Sequence, residues 1–176
     1  MPEDLKQFIR SIKGFPKEGI MFRDITTLLQ NPVSLKLTLQ QLFENCKDLD
    51  VNKVVGIEAR GFIFGAMLAQ KLDVGFAPIR KPGKLPADKV QETYTLEYGT
   101  DMIEIHKDAI KPGEKVLIHD DLLATGGTAK AAVNLIEKLG GKVIQLSFII
   151  ELSFLSGRKL LSNYNVKSLV DYNSED

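Results

Sequence analysis

Cysteine, histidine and tryptophan are scarce in this chain: its 176 residues include one cysteine, two histidines and no tryptophan. Cys46 has no second thiol to join, so an intramolecular disulfide is excluded. Zinc sites built on cysteine pairs are excluded for the same reason, and His106 and His119 match no zinc motif. We therefore expect no metal ion held by the chain's own side chains.

The chain also lacks a net charge and long apolar runs. Its 23 basic side chains balance 23 acidic ones, whereas nonspecific nucleic-acid binding depends on a basic excess. No apolar run approaches the roughly 18 residues that a membrane-spanning helix needs. The first residues contain no long apolar segment of the kind found in secretion signals. We therefore expect no nucleic-acid partner, no membrane partner and a cytoplasmic location.

Length and composition are ordinary for one folded domain, which we expect to cover residues 1–176. Hydrophobic residues make up 44% of the sequence, enough to bury a substantial core. Short apolar runs alternating with helical patterns indicate an α/β fold, with a mostly parallel, twisted sheet and helices on both faces. An antiparallel hairpin is expected around residues 90–107. The predicted strands are 53–58, 74–80, 115–119 and 142–150, and the predicted helices are 5–12, 32–46, 61–72 and 128–139.

The segments that follow the predicted strands are the places to look for a site. In a parallel sheet, ligands bind beyond the carboxyl ends of the strands. Most of these segments carry charged side chains or glycine, as a site for a polyanion would require. They are residues 58–61, 80–84, 120–128 and 151–152.

The most informative segment is VLIHDDLLATGGT, residues 116–128, in which an acidic pair ends a strand and a glycine loop opens a helix. Two adjacent carboxylates at an apolar strand end are destabilised by desolvation and by mutual repulsion, unless a ligand offers them hydrogen-bond donors or a positive charge. Sugar hydroxyls, or a cation arriving with the ligand, would do so. The loop offers backbone N–H groups and a helix N-terminus to a phosphate monoester. The segment therefore predicts a ribose 5-phosphate site formed by Asp120, Asp121, Ala124, Thr125, Gly126, Gly127 and Thr128.

These patterns are also compatible with other interpretations. A strand-to-helix turn with an aspartate cap would give a similar arrangement of residues without any ligand. A Walker A loop is excluded because Gly127 stands where its lysine belongs, and the absence of GxGxxG disfavours a dinucleotide site. Arg80, Lys81 and Lys84 form a basic cluster, which suits a polyanion but is also typical of a solvated loop.

Residues 116–128 resemble the motif with which type I phosphoribosyltransferases bind 5-phosphoribosyl 1-pyrophosphate (PRPP). Further segments, in matching order and spacing, resemble the adenine-specific members of that family over nearly the whole chain. The resemblance implies that family's fold, with an N-terminal hood at residues 1–30 and a flexible loop and hairpin at about residues 81–106. The further segments are GIMFRDI (19–25), GIEARGFIFG (56–65), IRKPGKLP (79–86), YTLEY (94–98) and Glu151-Leu152.

The resemblance implies an enzyme that transfers the 5-phosphoribosyl group of PRPP to N9 of adenine, forming AMP and pyrophosphate, with Mg²⁺ arriving on PRPP. The sugar becomes oxocarbenium-like as pyrophosphate leaves, so cations are needed on the leaving group. Glu97 and Arg60 are the implied catalytic residues, with Glu97 on a lid of about residues 81–99 that excludes water. The implied pyrophosphate-binding residues are Glu58, Ala59, Arg60, Arg80, Lys81 and Lys84, and the implied adenine-binding residues are Met21, Phe22, Arg23 and Leu152.

The acceptor base and the assembly are open to alternatives. A transferase for xanthine, hypoxanthine, guanine or orotate would share the PRPP motif but should lack the hood and strand-end segments. A noncatalytic PRPP-sensing regulator would need a DNA-binding module, and no basic helix-turn-helix precedes residue 20. The resemblance also implies a homodimer. His119 stands where an aliphatic residue is expected, and we interpret it as a strand residue rather than a catalytic base.

Overall fold

The computed structural model describes residues 4–96 and 99–175. No helix in these ranges is long and apolar enough to cross a membrane. The helices are α1 (Thr26–Gln30), α2 (Pro32–Glu44), α3 (Gly61–Leu72) and α4 (Gly127–Lys138), with 3-10 helices at Leu5–Phe8, Ser153–Leu155 and Gly157–Leu161. The strands are β1 (Arg10–Lys13), β2 (Met21–Asp24), β3 (Lys53–Ile57), β4 (Gly75–Ile79), β5 (Lys89–Thr95), β6 (Thr100–His106), β7 (Lys115–Leu123), β8 (Lys142–Leu152) and β9 (Val166–Tyr172).

A parallel five-stranded sheet separates two hydrophobic cores. Its strand order is β4-β3-β7-β8-β9, and each neighbouring pair is parallel. Side chains alternate across a strand, so Val116 and Ile118 of β7 enter one core while Leu117 enters the other. The first core is covered by α4 and the antiparallel β5–β6 hairpin, and the second by α2, α3 and the hood. The predicted α/β architecture with helices on both faces is confirmed.

The centre of the sheet contains a topological switch point. The adjacent strands β3 and β7 are followed by α3 and α4, which cover opposite faces. Where neighbouring strands send their helices to opposite sides, a crevice opens beyond their carboxyl ends. The segments that follow β3 and β7 therefore meet across this crevice.

Several local patterns were predicted at nearly the observed residues. Helix α2 begins as expected after Asn31, whose Oδ1 accepts the N–H of Val33 at 2.9 Å. The predicted helices at 61–72 and 128–139 agree with α3 and α4. Hydrophobic periodicity, together with the residues that start and end a helix, was sufficient to locate these three helices.

The predicted helix at residues 5–12 is wrong beyond its first turn. Only Leu5–Phe8 is helical, and it is a 3-10 helix; the chain then forms β1, which pairs with β2 in an antiparallel hairpin. Eight residues of helical spacing are too few to outweigh pairing with a distant strand. The hairpin of the hood and the edge strand β9 were not predicted.

The strand predicted at residues 115–119 is too short. Strand β7 continues to Leu123 because β8 pairs with it along this stretch, including Asp120 with Phe148. The acidic pair therefore lies inside the strand rather than after its end, and its backbone is held by the sheet.

A histidine is buried in the second core. His119 of β7 is fully inaccessible, pairs in register with Ser147 of β8, and packs beneath Gly65 of α3. Burial lowers the pKa of its imidazole to about 4, and the charge of Asp121 and the Ser147 backbone offset only part of this effect. Its position beneath α3 agrees with the interpretation as a strand residue.

Acidification is expected to destabilise the protein through His119. The unfolded imidazole binds a proton below about pH 6.5, whereas the native one does so only below about 4. This contribution to stability is therefore complete above about pH 6.5 and is lost by about pH 4, amounting to about 3 kcal/mol. Urea unfolding of the native protein and of His119→Leu between these limits measures it. A stability difference between the two proteins that does not change with pH would contradict the assignment.

Candidate active site

A cleft of about 340 Å³ lies at the switch point. Its walls are the segment after β3, the end of β7 and the loop that leads into α4. All seven residues predicted for ribose 5-phosphate line it. The described residues that form its walls are Ile57, Glu58, Ala59, Arg60, Lys81, Tyr94, residues 120–129 and Phe148.

The glycine loop is held in shape by backbone contact with a later segment. Gly126 precedes α4 with a φ of 88°, a conformation that favours glycine. A Cβ on Gly126 would lie 2.6 Å from the carbonyl oxygen of Gly157, and a Cβ on Gly157 would overlap the carbonyl oxygen of Ala124. The loop and the 3-10 helix at Gly157–Leu161 thus fit together only because both positions lack side chains.

The two acidic residues have different environments. Asp121 is buried, and its Oδ2 accepts a hydrogen bond from Arg60 Nε at 2.5 Å. Asp120 Oδ1 accepts the N–H of Asp121 at 2.8 Å. Burial raises the pKa of Asp120 well above its ordinary value, and the neighbouring charge of Asp121 raises it further. Hydrogen-bond donors from a ligand would relieve this cost, as sugar hydroxyls can.

Glu58 joins the segment after β3 to the segment after β4. Its carboxylate accepts the backbone N–H of Lys81 at 2.6 Å, forms an ion pair with Lys84, and lies 3.5 Å from Arg80 Nε. Burial opposes ionisation, but Lys84 and the Lys81 N–H hold the pKa of Glu58 below its ordinary value. The Glu58–Ala59 peptide is cis. Arg80 and Lys84 therefore do not line the cleft themselves. Their contacts with Glu58, which does line it, keep them next to it.

Lys81 also pairs with residues of the β5–β6 hairpin. Its ammonium forms an ion pair with Asp101 and donates to Tyr94 Oη at 3.1 Å, while the Tyr94 hydroxyl donates to Asp101 Oδ2 at 3.0 Å. Tyr94 and Asp101 were absent from the predicted site. Tyr94 lies in the quoted segment YTLEY, but the register that sets Asp101 opposite it depends on pairing between two strands.

The residues predicted to bind adenine lie outside the lining of this cleft. The centroid of the Phe22 ring lies 5.5 Å from the guanidinium carbon of Arg60, which does line the cleft. Arg23 points to the other side of β2, where its guanidinium lies 3.9 Å from the Tyr172 ring centroid. It also donates to Ser11 Oγ at 2.6 Å and to the Glu175 carbonyl at 2.9 Å. Met21 is half-buried, as is Leu152, which packs against the second core.

Glu97, which was predicted to be catalytic, lies outside the described residues.

Comparison with known proteins identifies the family to which this chain belongs. Residues 25–172 match the family model for the phosphoribosyl transferase domain. The chain belongs to the phosphoribosyl transferase family. Within that family it is 56% identical to the adenine phosphoribosyltransferase of Alkaliphilus oremlandii over 169 residues, which are 96% of this chain and 98% of that relative. The predicted family membership is confirmed.

Solved structures of this phosphoribosyl transferase family have the same fold. The adenine phosphoribosyltransferase of Thermoanaerobacter pseudethanolicus is 48% identical and superposes with a TM-score of 0.95, covering 98% of this chain and 100% of that one. The Saccharomyces cerevisiae enzyme, crystallised with adenine and an imino-altritol bisphosphate, is 41% identical with a TM-score of 0.89; the match covers 96% of this chain and 97% of that one.

Gly157→Ala is expected to destabilise the protein and distort its glycine loop, because the new methyl group would displace the Ala124 carbonyl. Overpacking of this kind costs about 1–3 kcal/mol. Gly75→Ala is the matched control, since a Cβ there would meet only Lys53 Cε at 3.5 Å. Urea unfolding and calorimetric binding of ribose 5-phosphate measure both effects. Equal stability and equal binding in the two variants would show that the backbone contact is unimportant.

Proposed function

We propose that this enzyme transfers the 5-phosphoribosyl group of PRPP to N9 of adenine, forming AMP and pyrophosphate. The observation that carries the proposal is the cleft at the switch point, where an acidic pair, a glycine loop and a set of cations converge. Ribose, its 5-phosphate and pyrophosphate each have groups of suitable chemistry there. Membership of the adenine phosphoribosyltransferases supplies the acceptor base.

The ribose 5-phosphate part of PRPP binds to the segment from β7 to α4. Asp120 and Asp121 accept hydrogen bonds from ribose hydroxyls. Backbone N–H groups of the loop and the N-terminus of α4 bind the 5-phosphate, with the Thr125 and Thr128 hydroxyls as further donors. Because the sheet fixes β7 on one side and Gly157 fixes the loop on the other, the sugar is held rigidly before the reaction.

The cations on the opposite wall act on the leaving group. The bond between C1 and a pyrophosphate oxygen breaks, the electron pair goes to pyrophosphate, and N9 of adenine forms the new bond to C1. Arg60 and Lys81 line the cleft, with Arg80 and Lys84 behind Glu58, and they stabilise the charge that develops on pyrophosphate. Adenine loses a proton as the new bond forms. Glu97 accepts this proton, or the released pyrophosphate accepts it while the charge of Glu97 stabilises the positive sugar; this role is carried over from the family resemblance.

Mg²⁺ enters with PRPP in this proposal. Among residues 4–96 and 99–175 no group of three or more His, Cys, Asp or Glu side chains could hold a metal ion. Mg²⁺ commonly binds through one or two carboxylates together with substrate phosphates and water. Asp120 and Asp121, at the sugar end of the cleft, fit that donor set, and the ion would neutralise charge on pyrophosphate.

Adenine binds beneath the hood. The Phe22 ring, beside Arg60 and in edge contact with Phe15 at 5.1 Å between centroids, offers an apolar surface next to the sugar site. Leu152, half-buried at the end of β8, is the second apolar residue that we assign to the base. The side chain of Arg23 is engaged with Tyr172, so we assign this residue and Met21 to recognition through the backbone.

Assembly and location follow the family resemblance. We propose a homodimer in the cytoplasm. Sedimentation of the purified protein measures the first, and fractionation of cells that express it measures the second.

The acceptor base is tested with a panel of purines and orotate. Purified protein with PRPP and Mg²⁺ is expected to form AMP from adenine, and to use hypoxanthine, guanine, xanthine and orotate far less well. Spectrophotometry of each reaction measures the rates. Efficient conversion of another base, with no AMP from adenine, would replace this assignment by another transferase of the same family.

Glu97→Gln is expected to lower kcat by about 100-fold or more, the usual scale of acid–base assistance, with a far smaller change in KM for PRPP. Glu92→Gln is the control, because Glu92 lies five residues earlier in the sequence, on β5, and contacts Asn134 and Lys138 rather than the lining of the cleft. Steady-state kinetics of AMP formation compare the two variants. An unchanged kcat in Glu97→Gln would remove Glu97 from the catalytic residues.

A further inference from the structure

Lys81 is the only cleft-lining cation of the described residues that is held by the β5–β6 hairpin rather than by the sheet. The loop after β4 carries it, and its ammonium crosses to Asp101 and Tyr94 on the hairpin. Lys81 and Tyr94 both line the cleft, whereas Asp101 stands behind them. The contact of Lys81 with Asp101 and Tyr94 therefore joins the loop after β4 to the β5–β6 hairpin at the cleft.

The hydrogen bonds fix which atoms serve as donors. Tyr94 has a single hydroxyl proton, which it donates to Asp101 Oδ2 at 3.0 Å, so toward Lys81 the same hydroxyl acts as an acceptor. The other oxygen of Asp101 accepts the N–H of Met102 at 2.8 Å. The Lys81 ammonium has three donors. Two of them are directed at Asp101 and Tyr94, which leaves one for a ligand in the cleft.

Lys81 is held at both ends. Its backbone N–H donates to Glu58 Oε2 at 2.6 Å, and its ammonium is held by the hairpin. A lysine side chain is long and flexible, so without partners its charge would be distributed over many positions. Tyr94 is itself fixed, because its ring is buried in the first core and its strand position is opposite Asp101.

We propose that Asp101 and Tyr94 are positioning residues that hold the Lys81 ammonium against the cleft wall, where it meets the pyrophosphate of PRPP. This inference rests on the proposed function, since it requires that Lys81 contact pyrophosphate. A competing effect has the opposite sign: the negative charge of Asp101 would repel pyrophosphate. The Asp101 side chain is 32% exposed, so water and salt screen its charge over distance, while its direct hold on Lys81 persists.

The two effects are separated by two substitutions at one position. Asp101→Asn removes the charge and the acceptor of the Met102 N–H but keeps one oxygen that can accept from Lys81 and Tyr94, whereas Asp101→Ala removes every acceptor. Positioning predicts that Asp101→Ala weakens binding of magnesium pyrophosphate and raises KM for PRPP by about five- to tenfold, with a smaller fall in kcat. Asp101→Asn should weaken binding less than Asp101→Ala does, and Tyr94→Phe should lie between the native protein and Asp101→Ala. Tighter binding in both Asp101 variants would overturn the inference.

A double-mutant cycle tests whether Asp101 acts through Lys81. Dissociation constants for magnesium pyrophosphate are measured by calorimetry for the native protein, Lys81→Ala, Asp101→Ala and the double variant. We expect Lys81→Ala and Asp101→Ala each to weaken binding, and Asp101→Ala to add nothing once Lys81 is absent. Additive effects, or an effect of Lys81→Ala alone, would refute the inference and leave the proposed function intact. If Lys81→Ala binds pyrophosphate as the native protein does, the inference falls together with the pyrophosphate role of Lys81.

Glu92→Ala controls for loosening of the hairpin as a whole. Glu92 attaches the same hairpin to α4 through Lys138 and Asn134, away from the cleft. This variant should bind magnesium pyrophosphate as the native protein does, and thermal unfolding of every variant verifies that it is folded. Weakening by Glu92→Ala equal to that by Asp101→Ala would assign the effect to hairpin attachment and contradict the proposed positioning role.

Discussion

Parallel pairing between β3 and β7 is the interaction on which the site depends, because it brings together two strands whose helices leave toward opposite faces. The approach is close: a Cβ on Gly61, the first residue of α3, would lie 2.9 Å from the carbonyl oxygen of His119. With α3 packed so tightly on β7, Arg60 reaches Asp121 at 2.5 Å. The same pairing sets the cis Glu58–Ala59 peptide opposite the glycine loop.

Cations at the cleft are each matched by a carboxylate of the protein. Arg60 pairs with Asp121, Lys81 with Asp101, and both Arg80 and Lys84 with Glu58. These pairs place the positive charges without a large net repulsion between them. Each cation keeps hydrogen-bond donors for a ligand while it stays attached to its carboxylate. The pyrophosphate proposed above as the leaving group has several acceptor oxygens and can bind to more than one of these cations at once, which a small singly charged anion cannot do.

The parts of this protein that were predictable are those encoded within one segment. Periodicity and end signals located α2, α3 and α4, and the apolar runs located the central strands. Contacts between distant segments were not predictable in the same way. They extend β7 to Leu123, replace the end of a predicted helix by β1, and set Asp101 opposite Tyr94. Arg23 was chosen by motif, but strand alternation turns its side chain toward Tyr172.

Tyr172 connects the hood to the edge of the sheet. The centroid of its ring, on the last strand β9, lies 5.0 Å from the Lys6 ammonium and 3.9 Å from the Arg23 guanidinium. Phe22, next to Arg23 on β2, therefore takes its position from a strand that does not touch the cleft. A substitution at Tyr172 would therefore act on Phe22 through Arg23, without changing any residue that lines the cleft.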